Sequence, residues 1–193
     1  MQLTPYAPMM DGFVAGTDRA ALVRKIALVV AGSLALALSA KVQVPFYPVP
    51  MTMQTLVVLV IGATFGLRLG LATVALYLVE GLAGLPVFAS GAGPAYMMGP
   101  TGGYLAGFVA AVALMGLGAQ RGLDRSLAGS LVLMSVGHLV ILALGFAWLA
   151  VLVGADKAFA LGVAPFVWAT VFKTLLAAGL VPALWSLVQR YRG

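Results

Sequence analysis

The chain has 193 residues, of which 63% are hydrophobic and only 8% charged. A soluble domain carries about 45–50% apolar and about 25% charged residues, so an ordinary soluble domain is excluded and most of the chain belongs in lipid. The formal net charge of +6 comes from lysines and arginines scattered singly between apolar runs, without the basic patches of a nucleic-acid binder, and the absence of cysteine removes disulfide and thiolate chemistry.

Residues 1–22 read as a cytoplasmic leader and residues 23–193 as one six-helix membrane domain. Arg24 and Lys25 ahead of the apolar run Ile26–Ala40 imitate a signal peptide, but the run is long for one and too much chain precedes it. The pattern predicts an all-α integral membrane fold with transmembrane helices over Val23–Ala40, Met51–Leu67, Leu69–Leu85, Gly103–Ala119, Leu127–Val153 and Val163–Val188. Little more than Arg68 joins the second and third spans, which predicts a tight helical hairpin. With both termini cytoplasmic, Arg19, Arg24, Lys25, Arg68, Arg121, Arg125, Arg190 and Arg192 lie inside and only Lys41 and Lys157 outside, as the positive-inside rule requires.

Two outer connections are long and rich in proline and glycine, Lys41–Pro50 (KVQVPFYPVP) and Pro86–Gly102 (PVFASGAGPAYMMGPTG). Fixed φ at proline and positive φ at glycine shape such loops. Their Phe46, Tyr47, Phe88, Tyr96, Met97 and Met98 are expected to fold back as lids, the bland alternative being an interfacial aromatic belt. No internal repeat and no lipidation motif stands out. In the first span Ala27, Ala31 and Ala35 recur every four residues, a small-residue face suited either to internal packing or to a partner protein.

Catalysis is poorly served. The sole histidine is His138, the acids are Asp11, Asp18, Glu80, Asp124 and Asp156, and neither a metal site nor a cofactor motif is present. Lys173 lies ten residues into its span, roughly 15 Å deep, at the bilayer midplane. A cation there costs on the order of 2.5–3.5 kcal/mol and needs a partner, water or a ligand. Thr170 and Phe166 stand three and seven residues before it on the same helix face, so lysine, hydroxyl and ring follow one another outward. Glu80 either shares this outward-open pocket or pairs structurally with Lys173, as it would in a membrane scaffold; His138 reads as a neutral imidazole bonded to a neighbouring helix. Met51, Met53, Met97 and Met98 could repack around an apolar ligand body.

Val44–Thr55 (VPFYPVPMTMQT), Gly84–Ser90 (GLPVFAS) and Gly99–Tyr104 (GPTGGY), with weaker agreement at Gly145–Leu149 and Pro165–Lys173, resemble the biotin-specific substrate-binding (S) component of energy-coupling factor transporters, the BioY family. The resemblance implies a multi-pass protein of the bacterial cytoplasmic membrane that captures biotin from outside. It also implies a transmembrane coupling (T) component and two cytoplasmic ATPases as partners, lipid around it and no nucleic acid; members also occur alone. On this reading the protein is not an enzyme and needs no cofactor. The implied ligand-binding residues are Lys173, Thr170, Glu80, Phe88, Ser90, Tyr104, Gln54, Met53 and Phe166, and Ala27, Ala31 and Ala35 mark the docking face. The family pattern around the lysine reads PF-x-x-G-D-x-x-K, whereas Ala169 and Thr170 stand here in place of Gly-Asp, which leaves an S component for another small vitamin as the alternative. Lys173 can meet either the carboxylate or the ureido oxygen of biotin.

Overall fold

The computed structural model describes residues 7–192; residues 1–6 of the leader and Gly193 lie outside it. A single turn, α1 (Asp11–Val14), precedes α2 (Arg19–Lys41). Asp18 caps α2 by accepting from the Ala21 amide at 3.1 Å, so the helix begins at Arg19 rather than at the predicted Val23. The first outer loop then forms a ribbon in which β1 (Gln43–Val44) pairs antiparallel with β2 (Met51–Thr52), Gln43 opposite Thr52 and Val44 opposite Met51. This ribbon qualifies the all-α expectation and takes Met51 out of the second span. Thr52 Oγ1 accepts from the Gln54 amide, and the helix starts there.

The next helix, α3 (Gln54–Leu82), is broken at Gly66, whose φ of 74° is open to glycine and strained for other residues. Gln54 Nε2 donates to the Tyr77 hydroxyl at 2.6 Å. A straight helix would hold residues with that separation roughly 34 Å apart, so residues 54–65 and 67–82 run antiparallel, as the hairpin expectation has it. The third predicted span overshoots at its end: the helix stops at Leu82, and Gly84 at φ 94° turns the chain into the second outer loop.

That loop contains α4 (Gly93–Met98) and is tied down by its carbonyls. Tyr77 donates to Val87 O at 3.2 Å, Lys41 Nζ to Phe88 O at 2.6 Å and Gln43 Nε2 to Ala89 O at 3.1 Å. Phe88 is buried, edge-on to Tyr77 and stacked on Tyr96 at 4.9 Å between ring centroids. Tyr47 and Met98 remain exposed, so only part of the expected lid aromatics folds inward.

Helices α5 (Gly102–Gln120) and α6 (Leu127–Val153) follow, joined by a short turn over Leu123–Arg125. The connection to the last span, expected as a loop, holds α7 (Ala155–Gly162) and a turn over Ala164–Phe166. Consequently α8 (Val167–Arg192) starts after Pro165 and not at Val163. Five helical stretches among the described residues are long and apolar enough to cross a membrane, Arg19–Lys41, Gln54–Leu82, Gly102–Gln120, Leu127–Val153 and Ala155–Arg190.

One end of the bundle is closed by the N-terminal segment. Pro8 lies against Gly66, the Met10 amide donates to Thr64 O at 3.2 Å, Arg125 Nη2 donates to Ala7 O at 3.3 Å, and Met9 is buried. The ribbon and the second outer loop sit at the other end, where the cavity lies.

Candidate ligand-binding site

A partly open cavity lies under the ribbon between α3, α5, α6 and α8. Val49, Pro50 and Thr52 form its roof, Gln54 and Thr55 come from the start of α3, and Tyr104, Leu105 and Phe108 from α5. His138, Ile141 and Leu142 of α6 face Phe166, Thr170 and Lys173, while Ala89, Tyr96 and Thr101 close the side toward the second loop. The helix-face spacing of Phe166, Thr170 and Lys173 therefore does bring a ring, a hydroxyl and a cation to one space.

Lys173 is only 5% exposed. Its Nζ donates to Thr52 O and to Thr55 Oγ1, each at 3.0 Å. An ammonium has three donors, so two are held by protein and one is left over. Among the lining residues Lys173 supplies the only formal charge apart from a titratable imidazole, and no carboxylate lines the space. The cavity is built for an acceptor-rich or anionic group attached to an apolar body, with Phe166, Tyr104 and Phe108 as the apolar walls. Phe166 stands 6.4 Å from Tyr104 and 6.3 Å from Phe46 of the ribbon, measured between ring centroids. Tyr104 is fixed by donating to Gly162 O at 2.6 Å, which ties α5 to the end of α7.

The other residues singled out in the sequence lie elsewhere. Glu80 is half-buried and accepts a hydrogen bond from Ser33 of α2; it does not line the cavity, and neither Lys173 bond goes to it. Ser33 gives the half-buried Glu80 carboxyl a partner on the neighbouring helix instead of Lys173. Phe88 supports the roof from within its aromatic stack, and Ser90 is exposed on the loop. Met53 faces a separate crevice between the ribbon and α8, lined also by Ala169, Phe172 and the other side of Lys173. Ala27 and Ala31 are exposed on α2 and Ala35 half-buried, whereas the helix packs inward through Gly32, Ser33 and Leu36.

Sequence reasoning missed Thr55 and Thr101 in the lining and Thr174 behind it, whereas Tyr96, expected as a lid residue, does fold onto the cavity. His138 is bonded to neighbouring helices, as expected for an imidazole in lipid. Its Nδ1 lies 2.8 Å from Thr174 Oγ1 and its Nε2 3.3 Å from Thr55 Oγ1. A signal for Thr55 was available, since it ends the VPMTMQT run, but nothing in spacing alone pairs it with a lysine more than a hundred residues later.

The family model for "BioY family" matches residues 9–190 of the chain. The chain belongs to the BioY family. It is 40% identical over 139 residues to a probable biotin transporter BioY of Pyrococcus horikoshii, covering 72% of this chain and 82% of that one. A biotin transporter BioY of Thermotoga maritima is 38% identical over 139 residues, 71% and 81% of the two chains. A biotin transporter BioY2 of Lactococcus lactis is 32% identical over 154 residues, 78% and 84% of the two. The fold matches the crystal structure of the S-component for biotin from an ECF-type ABC transporter with a TM-score of 0.73, at 19% identity, over 89% of this chain and 95% of that one. In this chain the fold places the lysine of α8 under the ribbon.

Proposed function

We propose that this protein is the biotin-binding subunit of a biotin uptake transporter. It crosses the cytoplasmic membrane six times with both termini inside, the two antiparallel halves of α3 each making one crossing. It takes biotin from the outer side into the cavity beneath the ribbon and delivers it with a transmembrane coupling component and two cytoplasmic ATPases, so ATP hydrolysis belongs to the partners. The observation that carries this reading is the largely apolar pocket whose one fixed cation, Lys173, is held by Thr52 and Thr55 with a donor to spare. Biotin offers what such a space selects: a thioether ring for the aromatic walls, a ureido group and a carboxylate for a cation and hydroxyls.

Without a carboxylate in the lining, the ureido N–H groups need neutral acceptors, and Thr170 on the wall carries one. The spare Lys173 donor then meets one acceptor oxygen of the ligand. The deciding experiment is equilibrium binding of labelled biotin to the purified protein, competed by a panel of vitamins. Saturable binding displaced by biotin alone supports the reading, and displacement by another vitamin at lower concentration transfers the site to that vitamin.

A further inference from the structure

On the basis of the biotin-binding reading above, we propose that His138 and Thr55 act as a positioning relay that aims the spare donor of Lys173 at the ligand. His138 is 2% exposed in α6 and spans the gap between two other helices. One ring nitrogen is 2.8 Å from Thr174 of α8, and the other is 3.3 Å from Thr55 of α3. Thr55 Oγ1 is the same atom that accepts from Lys173 Nζ at 3.0 Å. An imidazole bonded only to hold helices together would be served by any pair of partners. Here one of the two partners is an anchor of the cavity's cation, and Thr55, His138 and Lys173 all face the cavity.

Lys173 can only donate, so a lone pair of Thr55 is turned to it. The relay takes the tautomer in which the Thr55 proton points to His138 Nε2 and the protonated Nδ1 faces Thr174. The chain Lys173, Thr55, His138, Thr174 runs donor to acceptor throughout, each bond polarising the next. Removing the imidazole releases the Thr55 hydroxyl to its other staggered rotamers. The ammonium is then left with the Thr52 carbonyl alone and is free to swing its spare donor away from the ligand. Both residues are thus positioning residues acting through Lys173.

The test is the Kd of labelled biotin for the full chain in lipid nanodiscs. Thr55→Val keeps the shape and removes the acceptor, and is expected to raise Kd about tenfold or more, whereas Thr55→Ser restores the oxygen and stays within about threefold of the parent. His138→Leu is expected to weaken binding to a similar extent. The double variant Thr55→Val, His138→Leu binds no more weakly than Thr55→Val alone, because the histidine acts through the threonine. An unchanged Kd in Thr55→Val, a Thr55→Ser as weak as the valine variant, or losses that multiply in the double variant would each overturn the relay. If His138→Leu is not monodisperse and folded, His138→Gln replaces it, and the Thr55 pair decides alone if neither folds. A parent protein that binds no biotin removes the proposed function itself; a parent that binds, with neutral variants, removes only the relay.

Discussion

Lys173 illustrates how a charge survives in an apolar helix bundle. Because α8 starts at Val167 and Lys173 bonds to the outer ribbon and the first turn of α3, it lies nearer the outer end of the bundle than the midplane its sequence position suggested. Even at a midplane, insertion costs on the order of 2.5–3.5 kcal/mol, and each hydrogen bond from a charged donor returns about 1.5–3 kcal/mol. The bonds to Thr52 O and Thr55 Oγ1 are therefore of the size needed to offset the charge without any ligand, and a third bond is available to affinity. Lys173→Met removes the cost and the two bonds together, so the unfolding temperature should move little. The biotin Kd should rise about 10- to 150-fold, the equivalent of one charged hydrogen bond. Parallel thermal-unfolding and binding measurements check this, and an unchanged Kd would sink the assignment of Lys173. Lys173→Arg should bind weakly too, because a planar fork cannot place three tetrahedral donors on Thr52, Thr55 and ligand. Glu80 carries the opposite expectation. Its carboxylate is bonded to Ser33 and lines no part of the cavity, so Glu80→Gln should leave Kd within about twofold, the range of substitutions remote from a site.

At the scale of elements, α2 presents two faces that adjacent residues separate. Gly32 is buried, and a Cβ there would fall 2.6 Å from Thr73 Cγ2 and 2.9 Å from Phe65 Cε2. Gly32→Val is an overpacking change worth about 1–3 kcal/mol, or an unfolding temperature lower by about 2–12 °C for a chain of this size. Ala31, one residue earlier, is exposed. Ala31→Trp should leave folding and biotin binding intact and abolish uptake in cells supplying the coupling component; intact uptake would remove the docking role of this face. Much at this scale was legible in the sequence. The apolar runs located the long helices, with several ends displaced by three or four residues, and the Gly66-Leu67-Arg68-Leu69-Gly70 run marked the reversal within α3. The ribbon was not, because two-residue strands in a proline-rich run have no periodicity and exist only through the pairing of Gln43 with Thr52. In the site, the spacing of Phe166, Thr170 and Lys173 along one helix was readable. Thr55 and Thr174 meet His138 only through tertiary packing, and spacing could not say that Ser33 rather than Lys173 satisfies Glu80.

Across the whole molecule, the end of the bundle opposite the cavity is held by a second polar junction, between the turn joining α5 to α6 and the end of α8. Asp124 is fully buried in the turn between α5 and α6, and its Oδ2 accepts from Trp185 Nε1 of α8. Arg125 lies 4.6 Å above the Trp185 ring and donates to Ala7 O, so the N-terminal segment, the turn and α8 meet at one point. Oδ1 of Asp124 has no hydrogen-bond partner among the described residues. Burial pushes the Asp124 carboxyl up from its ordinary value, with the Trp185 bond, its own backbone and Arg125 pulling the other way. A raised acid keeps its proton in the folded chain at a pH where the unfolded chain has released it. Folding stability therefore falls as pH rises from about 4, the ordinary aspartate range, through the raised pKa, and is level above it. Asp124→Asn keeps an oxygen for Trp185 and cannot ionise. Unfolding temperatures of the two proteins should lie close together at pH 4 and diverge toward neutral pH, with the asparagine variant the more stable. Comparing the two proteins cancels the titration of the other acids, which both share. A difference that stays constant across that range would mean that Asp124 is not protonated on folding, and that the junction is held by its packing alone.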